Sequence, residues 1–120
     1  MAIDFREKIY RLDGAMGTML QKAGMNPEET TTQFGLKHPE IWYDIFTQYI
    51  NAGADIIYAG TFGINKFKAD ELDLSLEEAV VCAMNVAHRA RNEASKASGR
   101  DVKIALGIGP LGELIEPLGT

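Results

Sequence analysis

At 120 residues the chain has room for one domain with a core of its own. Its formal charge is −5, from 12 basic and 17 acidic residues, and it has no Lys/Arg block, which argues against phosphate-backbone binding to nucleic acid. No apolar run reaches the roughly 18 residues of a membrane span, the charged N-terminus does not read as a signal peptide, and the lone Cys82 excludes an internal disulfide or a multi-cysteine metal site within one chain; the expected location is the cytoplasm.

In chain order, Ile9, Tyr10 and Leu12 read as a short strand that stops at Asp13-Gly14. Met16, Met19, Leu20 and Ala23 follow helical spacing, so residues 15–23 predict a short helix closed by Gly24. Residues 26–36 carry Pro27, three threonines and Gly35, and read as a loop. Pro39 then opens a helix expected to run to Ala52, since proline at the first helical position loses no useful N–H. Its apolar face is Ile41, Trp42, Ile45, Phe46, Tyr49 and Ile50, and Gly53 suits the left-handed position after it.

Residues 54–59 form a β-branched strand, short enough to be buried on both faces. A turn at Gly60-Thr61-Phe62-Gly63 follows, then one or two helical turns over 66–72. Ser75-Leu76-Glu77-Glu78 is a capping box. It opens a helix to about residue 97 with a small inner face of Ala79, Ala83, Val86, Ala87, Ala90 and Ala94. After Ser98-Gly99 comes a third strand, 102–108. Strands joined through helices must be parallel, with right-handed crossovers. The chain stops at Gly119-Thr120 without a covering helix, which would leave parallel edges open, so the expectation is the front part of a larger domain.

Ligands of parallel α/β folds sit at the carboxyl ends of strands, and the unusual residues fall there. Asp13 can pair with a substrate ammonium or hold a loop, and Gly14 lets backbone approach a ligand. Thr61 can hydrogen-bond a carboxylate or thiol, and Phe62 can wall a pocket; a capped turn with a core aromatic is the alternative. Gly107-Ile108-Gly109-Pro110-Leu111-Gly112 matches GxGxxG, but Pro110 removes a donor and too little chain follows for a dinucleotide unit, so a strand-to-loop turn is the better reading. Cys82 reads as a small buried helix residue, His38 as a helix-capping residue, and neither forms a zinc set with His88. Glu113 and Glu116 fit a solvated loop as well as an acid–base pair.

Leu12-Asp13-Gly14-Ala15-Met16-Gly17-Thr18-Met19-Leu20-Gln21 resembles the opening of the homocysteine S-methyltransferase family. Gly53-Ala54-Asp55-Ile56-Ile57 with Thr61-Phe62-Gly63 is similar to that family's second strand and its Asn-Thr-Phe turn, here with Gly60 in the asparagine position. Gly109-Pro110-Leu111-Gly112-Glu113-Leu114 and Pro117-Leu118-Gly119 resemble the loop after its third strand. The likeness is nearest to the N-terminal homocysteine-binding module of the cobalamin-dependent methionine synthases.

This resemblance implies an α/β fold made of the first three β/α units of a TIM-type (β/α)8 barrel, with residues 1–120 as its N-terminal part. It implies methyl transfer to a zinc-bound homocysteine thiolate, giving methionine, with cobalamin possible through other domains. Asp13, Gly14, Thr61 and Phe62 would belong to the substrate rim. The family's zinc cysteines have no counterpart here, since Cys82 matches none of their motifs, so this segment alone is expected to be inactive. The partner expected is L-homocysteine, with neither nucleic acid nor membrane. The alternative function is a non-catalytic module that self-associates through open sheet edges into a homo-oligomer.

Overall fold

The computed structural model describes residues 3–114 and 118. Its elements are α1 (Gly17–Lys22), α2 (Thr31–Lys37), α3 (Pro39–Asn51), β1 (Ile56–Ala59), a 3-10 turn (Ala69–Glu71), α4 (Leu76–Ser98) and β2 (Lys103–Leu106). β1 and β2 pair in parallel, with Ile57 opposite Ile104 and Ala59 opposite Leu106. The crossover between them contains α4, as a parallel pair requires.

The expected first strand is reduced to a single parallel bridge, Leu12 to Ile56. Arg11 and Asp13 hold it in place: the Asp55 N–H donates to the Arg11 carbonyl at 2.8 Å, and the Asp13 N–H donates to the Ile56 carbonyl at 3.0 Å. The next step of the ladder is taken by a side chain. The Tyr58 N–H donates to Asp13 Oδ2 at 3.0 Å, where a third strand would have presented a carbonyl. The chain therefore leaves the sheet at Asp13-Gly14 while its carboxylate continues the pairing.

A second correction concerns residues 26–36, expected as loop, of which 31–36 lie in helix α2. The Thr30 hydroxyl accepts from the Gln33 N–H at 3.1 Å, and the Gln33 side chain accepts from the Thr30 N–H at 3.1 Å. This reciprocal capping box outweighs the poor helix propensity of Thr31 and Thr32. His38 lies at the N-cap of α3 without a side-chain cap bond; its ring instead packs on Phe34, centroids 4.6 Å apart.

Other elements follow the sequence closely. Ser75 and Glu78 form their capping box, and α4 ends at Gly99 with φ +72°, a left-handed position that favours glycine. Ala79, Ala83, Ala87, Ala90 and Ala94 are all buried, so α4 lies close against α3 and the sheet. Val86 and Cys82 are only half-buried at the margin of that face. The innermost side chains are Leu20, Trp42, Phe46, Ile50, Ile57 and Val102. β1 is not enclosed on both faces as expected, because Tyr58 is 45% exposed between buried neighbours.

At the amino end of the strands, Arg100 ties α3 to the sheet. Its guanidinium donates to the Ile50 carbonyl at 2.8 Å and the Ala54 carbonyl at 2.7 Å, and lies 3.4 Å from Asp55. A cation at a helix C-terminus also meets the negative end of the helix dipole. The opposite, carboxyl end is left for the site.

Candidate functional site

At the carboxyl end, three segments are joined by side chains. Asp13 accepts the Tyr58 N–H from β1, and the Thr61 hydroxyl donates to the Gly107 carbonyl after β2 at 2.8 Å. Thr61 is itself buried, and its N–H donates to the Ala59 carbonyl at 2.8 Å. Together these bonds fix the spacing of the strand ends, so the loops that leave them are held by the sheet.

A cavity of about 230 Å³ opens there, walled by Asp13, Gly14, Met16, Thr31, Thr32, Trp42, Tyr58, Ala59, Gly60 and Phe62. That is below the roughly 300–1,000 Å³ of pockets for drug-sized ligands, so it suits a compact molecule. Its walls are mostly apolar, and Asp13 is the one residue among them with a carboxylate. Burial pushes the Asp13 carboxyl above the usual carboxylate range, and the Tyr58 N–H pulls partly in the other direction. A desolvated carboxylate of this kind gains most from a cationic partner, which would repay the lost hydration.

Of the residues singled out in the sequence, Asp13, Gly14 and Phe62 meet at this cavity, and Thr61 stands behind it as the link to Gly107. A Cβ at Gly14 would come within 2.9 Å of the Tyr49 ring, whose hydroxyl donates to the Ala15 carbonyl at 2.6 Å. Gly14 is thus required by packing on α3 as well as by its place on the wall. Phe62 is 62% exposed at the cavity rim. Gly109, from the GxGxxG match, lies against the Phe62 carbonyl, where a Cβ would overlap it. No helix follows it among the described residues, so its phosphate-binding context is missing. Glu113 is exposed, and Glu116, Pro117 and Gly119 lie outside the described residues.

Sequence reasoning missed Thr31, Thr32 and Tyr58, and treated Trp42 as core alone. Two signals were available. The Thr30-x-x-Gln33 spacing announces α2, which carries both threonines over the strand ends. The period of two along β1 places Tyr58 on the face opposite Ile57 and Ala59.

Among the described residues, no three His, Cys, Asp or Glu side chains converge on a point where a metal could bind. Cys82 is half-buried on α4 and is not part of the cavity wall. No described helix is long and apolar enough to cross a membrane.

The family model described as homocysteine S-methyltransferase matches residues 11–119. Among solved structures, the metallated form of the homocysteine methyltransferase MmuM from Escherichia coli superposes with a TM-score of 0.79 at 21% identity, covering 90% of this chain and 40% of that one. The oxidized form of the same enzyme gives 0.73 at 21% identity, over 82% of this chain and 37% of that one. At such identity the likeness is one of fold. The chain spans about 40% of the length of the protein it matches.

Proposed function

The chain belongs to the homocysteine S-methyltransferase family, and we propose that it forms the first three β/α units of a TIM-type barrel whose strand ends hold the amino-acid end of homocysteine. The observation that carries this reading is the half-buried Asp13 carboxylate, set in the wall of a compact cavity where three parallel segments end. Its role is to pair with the substrate ammonium. Gly14 and Phe62 complete the wall around it, and Thr61 keeps the β1 and β2 ends together so that the wall stays formed.

The reaction of the whole family member is methyl transfer: the homocysteine thiol gives up its proton, and its sulfur forms a bond to the methyl carbon of a methyl donor as the donor's bond to that carbon breaks and its electron pair stays with the donor, giving methionine. Zinc, when bound, would supply the acidity that makes the thiolate. The described residues do not fit that metal, since no ligand set converges among them and Cys82 lies on α4. No step through zinc or a methyl donor is therefore assigned to these residues. Their part is binding and orientation.

Calorimetric titration of the chain with L-homocysteine tests the reading. Binding is expected in wild type and at least tenfold weaker binding in Asp13→Asn, from the loss of a charge-assisted hydrogen bond. Equal affinity in the two proteins would remove Asp13 from the site.

A second reading, a self-associating module, is favoured by one observation. Leu106 and Ile108 are 52% and 84% exposed, on and just after β2, which pairs only with β1 among the described residues. Unpaired strand edges invite pairing with another chain. Sedimentation separates the readings: a monodisperse dimer supports self-association, and a monomer that binds L-homocysteine excludes it.

A further inference from the structure

A second cavity lies apart from the strand ends, between α2 and the stretch that follows the 3-10 turn. Its volume is about 180 Å³, small enough for one compact molecule. On one side stand Gln33, Leu36 and Lys37, whose spacing of three and four puts them on one face of α2. On the other stand residues 71–74, with the backbone extended at Leu72. A side chain ties the two sides together: Gln33 Nε2 donates to the Glu71 carbonyl at 2.8 Å, and Gln33 Oε1 accepts the Thr30 N–H at 3.1 Å. With both ends of this amide engaged, the walls are held at a set spacing. Leu36, Leu72 and Leu74 line the cavity with apolar surface. Beside them stand charges of both signs, Lys37, Glu71 and Asp73. All three are exposed, and among the described residues none of them forms a salt bridge.

We propose that this cavity binds a free α-amino acid with an apolar side chain of leucine size. Such a molecule carries a carboxylate and an ammonium on one carbon, next to an apolar group, which is the pattern of the walls. Lys37 suits the carboxylate, Glu71 and Asp73 suit the ammonium, and the three leucines suit the side chain. A fatty acid or an alkylamine matches only one sign and leaves the opposite charges of the wall without a partner. The end of a peptide chain fails in the same way, since each terminus carries one charge. The wall charges are exposed to water and screened by salt, so apolar burial supplies most of the affinity, and a dissociation constant on the order of 1 mM is expected. The site shares α2 with the strand-end cavity, but none of the residues that line it, and it is independent of what that cavity holds.

Amide NMR titration of the intact chain with L-leucine is expected to give saturable shifts over residues 33–37 and 71–74. Two relatives of the probe separate its parts: 4-methylpentanoate lacks the ammonium, and 3-methylbutan-1-amine lacks the carboxylate. Each is expected to bind about threefold more weakly than L-leucine, from the loss of one exposed ion pair. Lys37→Met and Asp73→Asn alter exposed side chains, so both proteins should keep the wild-type spectrum elsewhere and bind L-leucine about threefold more weakly. Shifts centred on residues 13–17 and 58–63, or no shifts with L-leucine, would overturn the site. Equal affinity for all three molecules, or unchanged affinity in both variants, would overturn the assignment to an α-amino acid.

Discussion

Gly35→Ala sets two well-characterised effects against each other. Gly35 lies inside α2, where alanine is favoured over glycine by about 1 kcal/mol on helix propensity alone. The structure opposes that gain, because the added methyl would overlap the Trp42 indole at three ring atoms. The ring has little freedom to retreat: it is 1% exposed, and Gly60 flanks it 2.5 Å from the point where a second Cβ would sit. Over-packing of a rigid core site costs about 1–3 kcal/mol, occasionally more. With atoms this close the upper part of that range applies, so the net expectation is a loss of about 2 kcal/mol. In urea, with a slope of about 1–3 kcal/mol/M, the midpoint should fall by about 1 M. The companion variant Trp42→Phe removes the outer Cζ2 edge of the ring, one of the three points of collision, and leaves a smaller ring that can shift. In that background Gly35→Ala should recover most of its propensity gain, giving a coupling energy above about 1 kcal/mol in a double-mutant cycle. A Gly35→Ala protein more stable than wild type, or strictly additive effects, would refute the packing argument.

Three further outcomes follow from the charges and caps. Burial raises the Asp13 pKa, so the folded state holds that proton more tightly than the unfolded state and stability falls as pH rises through the window above the ordinary carboxylate value. Asp13→Asn should therefore melt no lower than wild type at pH 7 in scanning calorimetry while binding homocysteine more weakly; a clear loss of melting temperature would contradict this. Asp55 has the opposite sign: the Arg11 N–H, then Lys8 and Arg100, hold its carboxyl below the usual range. Its contribution is present above the unfolded carboxylate pKa and lost as pH falls through the lower folded value, so Asp55→Asn should flatten the acid limb of a stability–pH profile. Ser75→Ala should cost about 1 kcal/mol by urea titration, because it removes the acceptor of the Glu78 N–H at the start of α4.

The parts legible in the sequence were those with a local cause. The Ser75–Glu78 box, the alanine face of α4, Pro39 at the head of α3 and the β-branched run of β1 each declare themselves within a few residues. The ends of strands were also readable, and with them the places of Asp13, Phe62 and the Thr61 turn. What escaped depends on distant partners. The bridge at Leu12 is shorter than a strand because the Asp13 side chain replaces the next carbonyl, a substitution set by Tyr58, 45 residues away. α2 escaped because three threonines and a glycine suggest a loop unless Thr30 and Gln33 are paired explicitly. Gly60 has its reason on α3: the Trp42 ring fills the space a side chain would need. Trp42 looked like core because it is core; its second role as cavity wall appears only when α2 and β1 close around it.

On the proposed function, the strand ends around Asp13 hold homocysteine. The most direct test is an amide NMR titration of the chain with L-homocysteine, followed residue by residue. Saturable shifts confined to residues 13–17, 31–32 and 58–63 are expected, abolished or much weakened in Asp13→Asn. A well-dispersed spectrum indifferent to L-homocysteine, or shifts centred on another surface, would contradict it.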